Sequence, residues 1–559
     1  MLSERDLRIM EKTLSAYSDE EIRLYFERVQ REGLTEHGFP RLAAGIGILI
    51  SHGRRQDLLP LFTQMYDFCC KTIPFVKAAN DFSVREIVCC LLELEAAGIF
   101  PKEKTDEWRL DLAKITPEKS YNKYAVSPED TVQNWALFTC VSEFFRQKAG
   151  ICNVPDFIDL QVLQQSQFFD ENGMYRDHNK IPNHQPIVYD LVPRMLYSLL
   201  FDFGYRGPEY ERIDKLLKKA ALLTLKMQSP LGEIPFGGRS NQFLHNEPLI
   251  ISIFEYEAKR YHREGNHALA ARFKAAAERA KRVIETWLEK APIRHIKNRF
   301  ATETGFGCES YAYFDKYMIT LASNLYVSTL IRDDTIPFTP REDTEPAVAT
   351  TSDHFHKLFL KCGGYGAELD LDADPHYDAF GLGRVHRAGA PSTLCLSCPC
   401  PPEPSYTVDI EPPALAAASV IQKGDALLFA MDGKACYEIL KTTEGEELAT
   451  ARLLCRFENG ACITEEYRVS KRGVEIRLSG QGEIGFTLPA FFFDGEVYPL
   501  IRAEENSLCV SYEGYTCRYE TSGTVSDTGR LGANRNGHYK AYLATGKDTL
   551  SLRITIEKD

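Results

Sequence analysis

Over residues 1 to about 330, apolar positions recur with a helical period. Leu7, Met10 and Leu14 fall on one face of a stretch that Ser3 can cap, and Ser18 with Glu21 has the spacing of a capping box for the next helix. Further helical stretches are predicted at 55–75, 82–97, 127–149, 155–167, 186–204, 209–228, 243–263, 266–290 and 310–330, with Gly-, Pro-, Asn- and Asp-rich loops between them. From about 345 the period changes to two. KLFLKCGGYGAELDLD, ATARLLCRFENGACITEEYRVS, GVEIRLSG and TLSLRITIE alternate apolar and polar positions, with turn signals such as Glu458-Asn459-Gly460 and Ser479-Gly480 between runs. Short alternating runs of this kind predict an antiparallel β-sandwich. Arg332–Glu345 has no period and reads as the linker, which divides the chain into domains 1–335 and 336–559.

The helical half carries a weak internal repeat. Polar loops centred on Gly173, Gly232 and Gly305 each follow a helix, 59 and 73 residues apart, which suits a helix pair plus a functional loop. Stacked helix hairpins presenting such loops around one rim predict an incomplete α/α toroid. The expected fold is therefore an N-terminal α/α toroid followed by the sandwich.

Composition narrows the function. A chain of 559 residues with 44% hydrophobic and 26% charged residues is globular and long enough for two cores. The net charge of −13, without a basic run, argues against nucleic acid. MLSERDLRIMEKTL shows no apolar signal core, and no 18-residue apolar run follows, so a cytoplasmic protein without a membrane partner is expected. Most of the 16 cysteines then read as buried free thiols. Cys395, Cys398 and Cys400 contain a CxxC without a second ligand pair, and the His354-Phe355-His356 triplet lacks an evident third ligand, so no metal is expected. GxGxxG after a strand, a Walker loop and GxSxG are all absent, so no cofactor is expected either. Homo-oligomerisation is left open.

Three loops carry the candidate chemistry. The densest is GEIPFGGRSNQFLHNEP, where Arg239, Asn241, Gln242, His245, Asn246 and Glu247 crowd together. Helix capping explains Asn241 or Asn246 but not all six. Sugar hydroxyls need donors and acceptors together, and an arginine fork matches a carboxylate. The second loop offers Tyr175, Asp177, His178, Asn183, His184, Tyr189, Asp190 and Arg194, and the third offers Glu309, Tyr311, Tyr313 and Tyr317. At least one of these tyrosines is core packing. Asn134-Trp135 adds a pair whose indole stacks on a sugar or packs in the core, and His386 stands out in the strand region beside Arg384 and Arg387.

A toroid followed by a sandwich resembles the heparinase and chondroitinase type of polysaccharide lyase, and Asn134-Trp135 looks like the Asn-Trp cleft motif of some of them. NGMYRDH…YDLVPR, GEIPFGGRSNQFLHNE and IKNRF…GCESYAY are similar to patterns of the glycoside hydrolase family 154 β-glucuronidases, over roughly residues 130–390. That resemblance implies a glycoside or oligosaccharide substrate carrying a uronic acid. As a hydrolase the chain would use Glu247 as acid with Asp177 or Glu309 as partner, and Arg239, with Arg194 as a second candidate, would hold the uronate. As a lyase it would neutralise the uronate with Arg239 and Asn241, with His245 or Tyr311 as base and another tyrosine as acid. Gln242, Tyr189, Asn134, Trp135 and His386 complete the expected substrate contacts. Hydrolysis is the main expectation, elimination the alternative and non-catalytic glycan binding the third.

Overall fold

The computed structural model describes residues 2–559 apart from 178–182, 412–413, 425 and 434. Among the described residues, fourteen α-helices precede residue 332 and fifteen strands follow residue 346. The toroid-plus-sandwich architecture is therefore present. The first helix, Glu4–Leu14, begins where expected. Ser3 Oγ accepts from Asp6 N at 3.2 Å while Ser3 N donates to the Asp6 carboxylate at 3.1 Å. This helix packs against the last one, Phe314–Ile331, and so closes the ring. Arg5 ties it to the helix His267–Leu288 through Glu278 and Glu285, each at 2.7 Å.

Two helices escape the amphipathic pattern. Gly38–Ser51 is buried on every side up to Ile50, so it has no polar stripe to betray it. It fits there because Gly47 lacks a side chain: a Cβ at that position would sit 2.3 Å from Cys90 Sγ. Lys102–Leu112 is the converse, mostly polar with few inward residues. The stretch expected at 127–149 begins only at Trp135. The preceding residues are held in a turn, in which Asp130 accepts from Val126 N at 2.7 Å and Ser127 N at 3.0 Å.

The sandwich pairs a four-stranded antiparallel sheet with an eleven-stranded one. The strand Lys357–Cys362 shows how it meets the toroid. All six residues are buried. Leu358 and Leu360 join the sandwich core with Tyr467 and Leu478, whereas Phe359 joins the toroid core. Lys357 and Lys361, on the same side as Phe359, face the toroid. Lys361 Nζ donates to Leu225 O at 3.0 Å, and Lys357 Nζ lies 4.4 Å from the Phe236 ring centroid. One strand is thus covered on both faces, and the sheet becomes a wall behind the toroid loops.

Candidate active site

The loop from Phe236 to Asn246 is a chain of backbone turns. Gly237, Gly238, Ser240 and Gln242 all have positive φ, at 139°, 74°, 62° and 67°. Such a path is strained for Ser and Gln, and it persists because neighbouring groups pin it. Gly238 N donates to Asp378 at 2.8 Å, Ser240 N donates to Glu309 Oε1 at 2.7 Å, and Asn246 Nδ2 donates to Ser240 O at 2.9 Å. The pinned loop turns Arg239 outward. Its Nε donates to Tyr311 Oη at 2.9 Å, and its guanidinium lies 4.6 Å from the Tyr311 ring centroid. Ser240 Oγ lies 2.7 Å from Tyr311 Oη and 3.3 Å from Tyr189 Oη. Residues far apart in sequence therefore converge on one phenol.

These groups line a cleft of about 480 Å³ in the toroid. Its walls also carry Asn134, Trp135, Asp177, His245 and Tyr317. Asn134 Nδ2 donates to Asp177 Oδ1 at 2.6 Å, and Gln185 Oε1 accepts from Asp177 N at 2.9 Å. Trp135 is half-buried and meets Phe82 edge-on at 4.5 Å. His245 stacks on Phe243 at 5.5 Å and faces Tyr317 at 5.0 Å. Burial, reinforced by Arg41, pushes the His245 imidazole down to about 3, so it is neutral at ordinary pH. Burial pushes the Tyr189 phenol up to about 12, and burial with Tyr189 raises Tyr311 further, so both phenols keep their protons.

The other expected residues stand elsewhere. Glu247 is fully buried behind the cleft at the start of the helix Glu247–Arg263, with Lys297 Nζ donating to it at 2.6 Å. Burial pushes its carboxyl up, against the pull of Lys297. Glu309 accepts from Arg535 at 2.8 and 2.7 Å and from Ser240 N, and it is held ionised below the usual range despite its burial. It braces the loop from behind. Arg194 is buried against Asp190 and Thr224, with bonds of 2.9 Å to each, and staples two helices instead of reaching substrate. Asn241 donates to Pro235 O at 3.1 Å and accepts from Gln242 at 2.6 Å, and Asn536 of the sandwich donates to Gln242 at 3.4 Å. Asn241 therefore ties the loop to itself, and Gln242 ties it to the sandwich. His386 is buried in the strand Gly381–Arg387, where burial and then Arg384 push its imidazole well down. His178 lies outside the described residues.

Arg41, His37 and Lys316 also line the cleft, and the sequence reading passed over them. Arg41 offered a signal: one charged residue at the start of an otherwise apolar run. It is buried, donating to Thr320 Oγ1 at 2.9 Å with Glu86 3.4 Å away.

Among the described residues, His184, His356 and Asp372 bring ligand atoms within 4.8 Å of one another and could hold a divalent cation. The histidine triplet lies in the turn before the strand Lys357–Cys362, and there His356 meets in space the further ligands that its neighbours in sequence lack. His184 Nε2 lies 3.3 Å and His356 Nε2 3.5 Å from Asp372 Oδ2. His354 turns instead toward Arg176, at 3.5 Å.

No family model matches the chain, and no curated protein matches it. Among solved structures it is similar to a heparan sulfate lyase HepC mutant from Pedobacter heparinus, with 9% identity over 93% of this chain and 76% of that one, at a TM-score of 0.45. It is similar to heparinase III with 10% identity over 100% and 86% of the two chains, at a TM-score of 0.40. A likeness to the chondroitin lyase ODV-E66, a baculovirus envelope protein, has 8% identity over 66% and 76%, at a TM-score of 0.21. Among the described residues, no helix is long and apolar enough to cross a membrane.

Proposed function

We propose that the chain cleaves a uronic-acid-containing oligosaccharide by β-elimination in the toroid cleft. The observation that carries this reading is the convergence of Arg239 and Ser240 on the Tyr311 hydroxyl, with Tyr189 bonded to the same Ser240, in a cavity that also holds a neutral His245. Glu247 and Glu309, two of the three carboxylates that hydrolysis would use, are each paired with a buried cation instead.

In this reading Arg239 and Asn134 bind the uronate carboxylate. Their donors stabilise the charge that builds there when the neighbouring carbon loses its proton. His245 takes that proton. The electron pair forms a carbon–carbon double bond as the bond to the glycosidic oxygen breaks, and Tyr311 gives its proton to the leaving oxygen. The products are an unsaturated uronate and a free hydroxyl, and no water is consumed. Proton transfer from His245 back to Tyr311 restores the site. The tyrosine suits the acid role because its raised pKa keeps the proton in place until the leaving oxygen demands it.

A hydrolytic reading retains one supporting observation: Asp177 lines the same cavity beside Asn134. Incubation with uronate oligosaccharides and, separately, with p-nitrophenyl β-glucuronide distinguishes the two. Elimination predicts ultraviolet absorbance from the conjugated unsaturated uronate and no such chromophore in Tyr311→Phe. Nitrophenol release without that chromophore would replace the lyase reading by the hydrolase, and binding without cleavage would leave a glycan-binding protein.

A further inference from the structure

A second cavity, of about 380 Å³, opens at the seam between the two domains. Its lining is set by the helix His267–Leu288, the loop at Pro230–Leu231, the linker and the sandwich loop around Gly389, and none of the cleft residues Asn134, Asp177, Arg239, His245 or Tyr311 contributes to it. Domain seams are frequent ligand sites, and this volume lies within the roughly 300–1,000 Å³ of small-molecule pockets.

The informative group is Arg279. Only 9% of it is exposed, yet its guanidinium is poorly satisfied. Nε has no hydrogen-bond partner, Nη1 reaches Arg341 O at a long 3.3 Å, and Nη2 reaches Gln228 at 3.2 Å. Asp343, the nearest carboxylate, is 3.5 Å away and is held more closely by Lys361 at 2.5 Å. The other bases on the cavity each have a carboxylate partner, Arg282 through Glu278 at 3.3 Å. Lys290 donates to Glu513 at 2.7 Å, and Arg341 donates to Glu345 at 2.9 Å. A buried cation left with weak partners is costly, and an anion entering the cavity would relieve that cost. The rest of the wall suits a small ligand body with both apolar and hydroxyl surface: Val283, Leu231 and Trp287 on one hand, Thr286 and Ser392 on the other. Glu233, Glu342 and Glu513 also line the cavity and disfavour a ligand with several negative charges.

We infer that this seam cavity is a second binding site, separate from the cleft, for a carboxylate-bearing monosaccharide-sized ligand whose single negative charge pairs with Arg279. The choice of a sugar acid rests on the proposed function, since a uronate is what the cleft would release. The existence of the site does not rest on it.

The test is calorimetric titration of the full-length protein with sodium glucuronate, with glucose as the neutral control. The expected result is saturable glucuronate binding that survives Arg239→Ala in the cleft. Arg279→Gln should weaken it by roughly 10- to 100-fold, the worth of a hydrogen bond to a charged group. Thr286→Trp, which fills the cavity from an exposed position on its helix, should abolish it with an unchanged melting temperature and unchanged cleavage of oligosaccharides. Absence of saturable binding overturns the inference. So does loss in Arg239→Ala with retention in Thr286→Trp, and so does equal binding of glucose. Because cleavage is read separately, failure of the seam site and failure of the lyase reading give different results.

Discussion

The cleft and the ionic layer behind it are built from the same residue types, often from adjacent positions, yet they do opposite things. Arg239 and Ser240 reach the cleft, whereas Asn241, Gln242 and Glu247, a few residues on, are spent on bonds behind it, to the loop itself, to Asn536 of the sandwich and to Lys297. The difference is in partners and place. Glu309 has the two Arg535 nitrogens and a backbone amide, so its charge is answered inside the fold, and Glu247 sits behind the cleft, sharing Lys297 with Glu233. Arg239 has one phenol and an open face. A polar side chain with capacity left over can act on a substrate. One whose bonds are complete can only be removed at the cost of stability.

That contrast can be broken by mutation. Tyr311→Phe should lower cleavage by roughly 10²- to 10⁴-fold, the usual worth of a positioned acid or base, with an unchanged melting temperature. Glu309→Gln should do the reverse. It strands Arg535 and should cost about 3–5 kcal/mol in denaturant unfolding, with cleavage per folded molecule changed only several-fold. If Glu309→Gln instead unfolds normally and loses all activity, the layer belongs to the chemistry and the contrast fails.

Acid sharpens the same comparison. Burial would push Glu233 up, but Lys297, with Arg384, overrides it and holds the carboxyl at about 2 against an ordinary 4.5. The folded value lies below the unfolded one, so the stabilisation is complete above about pH 4.5 and is lost as pH falls toward 2. It amounts to at most about 3 kcal/mol by the pKa difference. Unfolding free energies measured across that range should fall in the native protein and fall less in Glu233→Gln. Trp135→Ala is the smallest expected effect. The loss of one aromatic platform should raise KM by about fivefold, near 1 kcal/mol, with kcat little changed.

The sequence carried the architecture because period and turn chemistry are local. The caps at Ser3 and Ser18 and the change of period near 345 need no tertiary knowledge. Gly38–Ser51 was missed because a helix buried all round has no stripe. The three loops were readable as clusters of polar residues, and Arg239, Tyr311, Tyr189 and Asn134 do share one cleft. What a single sequence could not show was which carboxylates meet a cation from far away: Arg535 lies 226 residues from Glu309, and Lys297 lies 50 from Glu247. Composition cannot reveal that pairing, and it is the pairing that removes Glu247 and Glu309 from the list of acids.

The most direct test of the account is the mass of the products formed from a defined uronate oligosaccharide by the native protein and by Tyr311→Phe. Elimination predicts two fragments whose masses sum to that of the substrate, both absent with the phenylalanine variant. Fragments that together exceed the substrate by one water, formed equally well without the Tyr311 hydroxyl, would contradict it.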